Sequence, residues 1–418
     1  MRRLLVLVGM FLCGGAGAAG LSAMLESKFQ VDNRFNTSPR ILGEIWGDAE
    51  LLEPGRWRAH ASWAGRLSSL SDDSGGRLYQ AFWEGLWPRF QGALRLGRFQ
   101  RADLAGFYLL DGGQLDYRLK GWQVQWYGGR PLRLDHVRSI EGDSVFGVTL
   151  ERDEAKDRCW RGFCWRGYRT VFAYQAFRNH RLSRRLQGTA SVRGNRGERQ
   201  AWEAALSATY RFDRRRFEDV WFNGFIDLTP ALRFRTNYEY YRPRSPFPTF
   251  RERFVSAYAL GEQSLFRAEL HHRPRPSLHY YLGGQRATKA DGFDGYGLIG
   301  GGDYRWRDTV FALRYDFLEI GYDRAHSGYG QIRHAFSSRL EAWINGAVRR
   351  EEKWLYGVNW VRGGEAGFRY HIGSGWTVQT SLSYIANSRR RDDYVGAVRV
   401  IYYLDRFQPK GKPCVWSC

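Results

Sequence analysis

Every second residue of "RWRAHASWAGR", positions 56–66, is apolar or small: Trp57, Ala59, Ala61, Trp63 and Gly65. The intervening positions carry Arg56, Arg58, His60, Ser62, Ala64 and Arg66. A period of two predicts a β-strand with one apolar and one polar face. The same alternation recurs along the chain. In 182–193, Leu182, Leu186, Gly188, Ala190 and Val192 oppose Arg185, Gln187, Thr189, Ser191 and Arg193. In 202–212, Trp202, Ala204, Leu206, Ala208, Tyr210 and Phe212 oppose Glu203, Ser207, Thr209 and Arg211. In 232–240, Leu232, Phe234, Tyr238 and Tyr240 oppose Arg233, Arg235, Asn237 and Glu239. Residues 376–386 and 394–404 repeat the pattern, the latter with Arg399 on its polar face. Each repeat is about ten residues long, the length with which a tilted strand crosses a bilayer.

A soluble β-sandwich would alternate too, but two features speak against it. The polar faces hold arginine and glutamate in mid-strand, and the apolar faces mix Ala and Gly with Trp and Tyr. Soluble cores pack Val, Ile and Leu to crystal-like density, whereas a lipid-facing surface needs no such fit. The pattern therefore predicts an all-β fold, a closed antiparallel transmembrane β-barrel over residues 19–404. Tight turns are expected at 53–55, 88–90, 120–121, 229–231, 273–277, 306–308 and 373–375. Longer connections are expected at 68–76, 101–112, 131–143, 242–262, 287–294, 350–362 and 387–393. Short and long mostly alternate, as they do when periplasmic turns are short and outer loops longer. By the same parity "DEAKDRCWRGFC", 153–164, falls on the periplasmic side although it is long. Counting strands gives about 22, with 18 to 22 compatible with the soft boundaries. A spanning strand at "ERFVSAYAL" inside 242–262 would make the number odd and prevent antiparallel closure.

Composition sharpens this picture. Mean hydropathy is −0.53, yet 16% of residues are aromatic, including 17 Trp. Such a chain is too polar for helical spans and rich in the rings that form interfacial girdles. The start, "MRRLLVLVGMFLCGGAGAAG", has two arginines, an apolar run and small residues through Ala18. It predicts a secretory signal peptide over 1–18. Met10, Phe11 and Leu12 are too bulky for lipid attachment at Cys13. Formal charge is +21 and only seven of 64 basic residues are lysine. A GC-rich genome would explain the arginine; an anion-attracting pore would explain it as well. The charges are spread along the chain instead of clustered on one arm, so nucleic-acid binding is not expected. Cys159, Cys164, Cys414 and Cys418 fall on the oxidising side, where disulfides are expected. Local pairing is favoured among three possible connectivities. Zinc is not expected, since neither cysteine pair has a two-residue gap and no histidine lies nearby.

Residues 90–131, "FQGALRLGRFQRADLAGFYLLDGGQLDYRLKGWQVQWYGGRP", resemble the early part of large single-chain outer-membrane porins, especially the alginate-export and phosphate-selective group. The shared shape is a strand ending in "LRLGRFQ", a short outer loop with "LLDG", then a hairpin of aromatic strands. Elsewhere the likeness is of pattern only. The resemblance implies a lumen lined by arginine and carboxylate pairs that passes anionic solutes or polysaccharide. By position it implies that Arg95, Asp116 and Arg118 face the lumen. Two departures are a tail, 405–418, beyond the last strand, expected in the periplasm with two cysteines, and outer loops shorter than usual in the group.

The candidate pore-lining residues are Arg58, Arg95, Asp116, Arg118, Arg185, Arg193, Glu203, Arg211, Arg233, Arg235, Glu239, Arg369 and Arg399. Glu84, Glu269, Glu341 and Glu365 are expected in the same interior. Guanidinium groups hold carboxylates or phosphates through paired hydrogen bonds, and a ladder of them would draw anions along a wet wall. Alternatively these residues pair with one another and only brace the wall. A 22-stranded barrel is usually plugged, and strands are expected from about residue 24, leaving no separate plug domain. Either 242–262 folds inward or a partner protein fills the barrel. No nucleophile-elbow, metalloprotease or P-loop motif appears, and His271 with His272 near Glu269 reads as a surface pair beside a turn. The chain has no C-x-x-C-H for haem attachment, and no cofactor is expected. The expected function is a porin-like, non-enzymatic channel of the bacterial outer membrane for small, preferentially anionic solutes. Its surroundings would be outer-membrane lipid and lipopolysaccharide. The alternative is a sheath or export conduit for a periplasmic or lumenal partner, such as a multihaem cytochrome or an acidic polysaccharide.

Overall fold

The first and last strands of the chain are hydrogen-bonded to each other, so the sheet has no edge. The structure is a computed structural model that describes residues 20–32, 40–53, 55–69, 75–103, 106–132, 144–155, 158–160, 163–179, 181–196, 200–241, 263–289, 294–321, 323–353, 357–373, 375–387 and 390–405. The strands begin with Gly20–Asp32 (β1), Arg40–Glu53 (β2), Trp57–Ser68 (β3), Gly75–Trp87 (β4), Gly92–Asp103 (β5) and Gly106–Leu119 (β6). Next come Trp122–Leu132 (β7), Ser144–Glu154 (β8), Arg158–Trp160 (β9), Phe163–Asn179 (β10), Arg181–Arg196 (β11) and Gln200–Arg211 (β12). They are followed by Arg216–Thr229 (β13), Leu232–Tyr241 (β14), Gln263–Arg275 (β15), Leu278–Lys289 (β16), Asp294–Trp306 (β17) and Thr309–Ile320 (β18). The wall ends with Asp323–Ala335 (β19), Leu340–Lys353 (β20), Gly357–Ile372 (β21), Trp376–Asn387 (β22) and Arg390–Asp405 (β23). Short β9 pairs only with the base of β10. The other strands form a closed antiparallel barrel of 22 strands.

Closure is dictated by the backbone. In hydrocarbon every N–H and C=O must be satisfied inside the protein, and only a helix or an edgeless sheet does this. β1 pairs with β2 on one side and with β23 on the other, from Ser22↔Asp405 to Asp32↔Val395. β14 pairs directly with antiparallel β15, so the strand number stays even. "ERFVSAYAL" itself lies outside the described residues.

Side chains from non-adjacent strands fix which face is concave. Gln175 of β10 donates to the Tyr127 hydroxyl of β7 at 3.2 Å and to the Tyr108 hydroxyl of β6 at 3.5 Å. Only the inner side of a curved wall brings strands that far apart in order together. Following the register from this row puts Arg58, His60 and Ser62 inside and Trp57, Ala59 and Ala61 outside. The outer face is openly apolar, with Leu282, Leu313 and Leu382 at 68%, 69% and 63% exposure. Soluble monomers do not carry such a surface all round.

Outward tryptophans mark one rim. Trp57, Trp87, Trp122, Trp165, Trp202, Trp306 and Trp376 all lie within three residues of the end of their strand on the side where both termini of the wall sit. Such a girdle belongs at a membrane–water interface, where the ring is half apolar and half polar.

Several boundaries differ from expectation. β1 starts at Gly20, not near residue 24. The "LLDG" segment is inside β6, and only 104–105 separate β5 from β6. Its glycines read as a loop but serve close backbone approach. Gly97, Gly112 and Gly129 form one row across β5, β6 and β7. A Cβ on Gly112 would lie 2.1 Å from the Gly128 carbonyl oxygen, and Gly97 sits at φ +124. Polar runs also extend strands beyond 350 and back to 390, because their charges pair along the strand. Arg349 meets Glu351 at 2.6 Å on the inner face, and Arg350 meets Glu352 on the outer.

A test of the outward assignment follows from Leu282. Leu282→Arg puts a cation on the lipid-facing mid-wall and should destabilise the barrel by about 2–4 kcal/mol. Urea-unfolding midpoints in lipid vesicles measure it, and a neutral result would place Leu282 in water.

Candidate functional site: the inner wall

All thirteen candidate residues lie on the inward face by register. Most of the arginines are not free. Glu84, 7% exposed, accepts from Arg58 at 2.9 Å and from Arg95 at 2.7 Å. Arg95 also stands 4.9 Å from the Phe82 ring and 5.4 Å from Phe99. Arg233 donates to Asp227 at 2.6 Å and lies over Phe225. Arg399 donates to Glu26 across the closing seam, and Arg369 to Gln379 at 3.3 Å. Asp116 accepts from Gln114 at 2.8 Å and Gln125 at 2.6 Å. Those glutamines in turn accept from Arg101, whose guanidinium sits over Tyr127. Arg118 faces inward on β6, beside Gln123 of β7. Glu341 is held by Arg333, Glu365 accepts from the Trp343 indole, and Glu239 faces inward between Trp221 and Leu265.

The tightest cluster uses a residue that alternation does not reveal. Glu218 is 2% exposed and accepts from Arg185 at 3.0 Å and Arg211 at 2.9 Å. It is the extra residue where the β12–β13 register shifts after Thr209, so it turns inward despite its even number. Arg211 also holds Asp213 at 2.9 Å in the adjoining turn. Burial opposes charge on Asp213, but the hydrogen bond and charge of Arg211 outweigh it and keep that carboxyl below its ordinary value. A second unexpected feature is an apolar patch on the inner wall, made of Phe99, Tyr108, Leu110, Tyr127 and Val145 against Phe82 and Phe177. "GFYLL" carries apolar residues on both faces, the only sequence hint of it.

Near the Trp-girdled end the wall is different. A concavity of about 560 Å³ is lined by Arg233, Arg235, Arg273, His271 and His279, with Glu203 and Asp227 as its carboxylates. Asp227 is occupied by Arg233. His271 bridges Glu269 at 2.8 Å and His279 at 3.1 Å, and His279 bonds Asp303 at 2.9 Å. The sequence placed His271 and His272 together as a surface pair. The strand instead sends His271 inward and His272 outward to the Tyr280 hydroxyl, because neighbours in a strand face opposite sides. Among the described residues Arg235 and Arg193 make no hydrogen bond or ion pair, although Arg193 stands opposite Glu203. The wall therefore sorts its arginines into braced and unengaged ones.

Cys159 and Cys164 form a disulfide across the β9–β10 pairing at this same end. Cys414 and Cys418, and the suggested inward loop 242–262, lie outside the described residues.

No protein-family model matches the chain, and no curated protein matches it in sequence. Among solved structures it is similar to Pseudomonas aeruginosa OpdQ, with 11% identity, 94% of this chain and 100% of that chain covered, and a TM-score of 0.47. It is also similar to P. aeruginosa OccK2 (OpdF), at 12% identity, 93% and 98% coverage and a TM-score of 0.42. Acinetobacter baumannii OccAB4 shows 10% identity, 93% and 98% coverage and a TM-score of 0.43.

Glu218→Gln removes the counter-charge of two inner-wall arginines. Breaking a buried pair from one side costs about 3–5 kcal/mol, so denaturant midpoints should fall accordingly. An unchanged midpoint would show that the cluster does not brace the wall.

Proposed function

We propose that this chain is a porin-like channel of the bacterial outer membrane that passes small anionic solutes. A closed barrel with an apolar exterior, an aromatic girdle and a charged interior is the architecture of outer-membrane channels. The observation that carries the anion preference is the pair of unengaged inward arginines, Arg193 and Arg235. Arg235 belongs to a concavity with more guanidinium than free carboxylate. A carboxylate or phosphate group arriving there receives charge-assisted hydrogen bonds that the braced arginines, already spent on Glu84, Glu218 or Asp227, do not offer. Release stays fast because the site is wet and open. The resemblance of 90–131 to alginate-export and phosphate-selective porins supports the same substrate class. In this reading residues 1–18 are a cleaved signal peptide. The tail beyond β23 stays in the periplasm, where Cys414 and Cys418 pair. No catalytic role is assigned.

Width favours a second reading. A circular wall of 22 strands tilted as barrels usually are would measure about 40 Å across its backbone. That is room for a partner protein or an acidic polysaccharide, and the barrel would then act as sheath or conduit.

Planar-bilayer reversal potentials separate the two. The solute channel should show anion preference that Arg193→Glu with Arg235→Glu abolishes or reverses. Removing a braced pair, Arg333→Gln with Glu341→Gln, should leave it unchanged. A large, non-selective conductance indifferent to both changes would favour the sheath.

A further inference from the structure

Arginines also stand on the outer face near the rim opposite the tryptophan girdle. There Arg286 holds Asp294, Arg324 holds Glu319 and Arg350 holds Glu352. Lower on the wall Arg98 holds Asp111 at 2.6 Å. On β10 and β11 the matching carboxylates are missing from the described residues. Arg178 and Arg184 are both exposed and make no ion pair or hydrogen bond there. Arg184 stands opposite Ala176, two residues from Arg178, so the two are diagonal neighbours on one face, about 7–8 Å apart. The Phe212 amide donates to the Arg184 carbonyl at 3.0 Å, which brings the 212–215 turn and its exposed Arg214 alongside. Nearby carboxylates are engaged elsewhere, Asp213 by Arg211 and Glu218 by Arg185 and Arg211. Burial and the positive charges of Arg211 and Arg216 pull Arg214 below its ordinary value despite those carboxylates. A cation among cations lacks an anion.

Height on the wall says where that anion would come from. Gly194 lies beside Trp202 of the girdle, and Arg184 is ten residues further along the same strand. At about 3.4 Å per residue and a tilt near 40° this is roughly 26 Å, the height of the apolar band. Arg184 thus meets the far interface. Directly below it on the same face lie exposed Leu186, Phe172 and Leu206, at 40%, 50% and 49%. Cations above an apolar surface match an amphiphile with a phosphorylated head and acyl tails.

We propose that Arg178, Arg184 and Arg214 bind the phosphate groups of an anionic glycolipid of the outer leaflet, whose acyl chains lie over Leu186 and Phe172. The proposal rests on the outer-membrane placement above and is independent of what passes through the lumen. It fixes one side of the barrel to the leaflet by charge as well as by hydrophobic fit.

Native mass spectrometry of the detergent-solubilised full barrel tests it, with diphosphoryl lipid A, its dephosphorylated form and inorganic phosphate as separate probes. Wild type should retain diphosphoryl lipid A at least tenfold more tightly than the dephosphorylated form. The triple variant R178Q/R184Q/R214Q should lose that tenfold preference, whereas R286Q/D294N keeps it. Equal retention of both lipids by wild type, or an unaltered preference in the triple variant, overturns the proposal. Binding of inorganic phosphate as tight as that of the lipid would assign the site to free phosphate and overturn it too. If the triple variant does not fold, R178Q and R184Q singly carry the same comparison. Insertion of the wild type into bilayers is scored in parallel. Failure to insert defeats the outer-membrane reading, while insertion with unaltered lipid preference defeats only the glycolipid site.

Discussion

The structure depends on one constraint: a strand in hydrocarbon must find backbone partners on both sides. Pairing of β1 with β23 meets it, and the rest follows. Once the sheet is closed, each residue has only two environments, and period two assigns them alternately. Leu282, Leu313 and Leu382 are then tolerated outside without any packing partner. Arg58, Arg185 and Arg399 are tolerated mid-strand because their face is wet. The same closure explains why the chain can be polar on average and still span a membrane.

Inside the barrel a second balance operates. A wall this rich in arginine would repel itself unless its charges were matched. Glu84, Glu218, Asp227 and Glu26 supply the match through close pairs. Exposed pairs of this kind stabilise little, but Glu218 is buried and shared by two arginines, which makes it a structural clamp. What is left unmatched carries the functional argument. Among the described residues Arg193 and Arg235 face inward without partners, and Arg178 and Arg184 face outward in the same condition. Bracing and attraction are thus divided among residues of the same type by whether a carboxylate is within reach.

The alternation in 56–66, 182–193, 202–212, 232–240, 376–386 and 394–404 was enough to read the barrel and the face of the candidates those segments contain, whereas Arg95, Asp116 and Arg118 were placed by the resemblance of 90–131. Register, and with it inside and outside, is strongly specified when one face must meet lipid. Three things were not legible. Gly112 looks like loop chemistry, yet it marks close approach between strands, which depends on a neighbour distant in sequence. Glu218 turns inward through a register shift that a period-two reading cannot place. Whether an arginine is braced or unengaged depends on cross-wall distances, so Arg233 and Arg235, adjacent on one face in sequence, differ in state. The inner apolar patch around Phe99 and Leu110 joins residues of six strands and leaves only a weak trace in "GFYLL".

The most direct measurement is the accessibility of nitroxide side chains placed one at a time along 378–384 of β22 in reconstituted vesicles. Collision with oxygen, which concentrates in lipid, should peak at positions 378, 380, 382 and 384. Collision with a water-soluble nickel complex should peak at 379, 381 and 383. Uniform accessibility along the segment, or a period near 3.6, would contradict a closed wall between hydrocarbon and water.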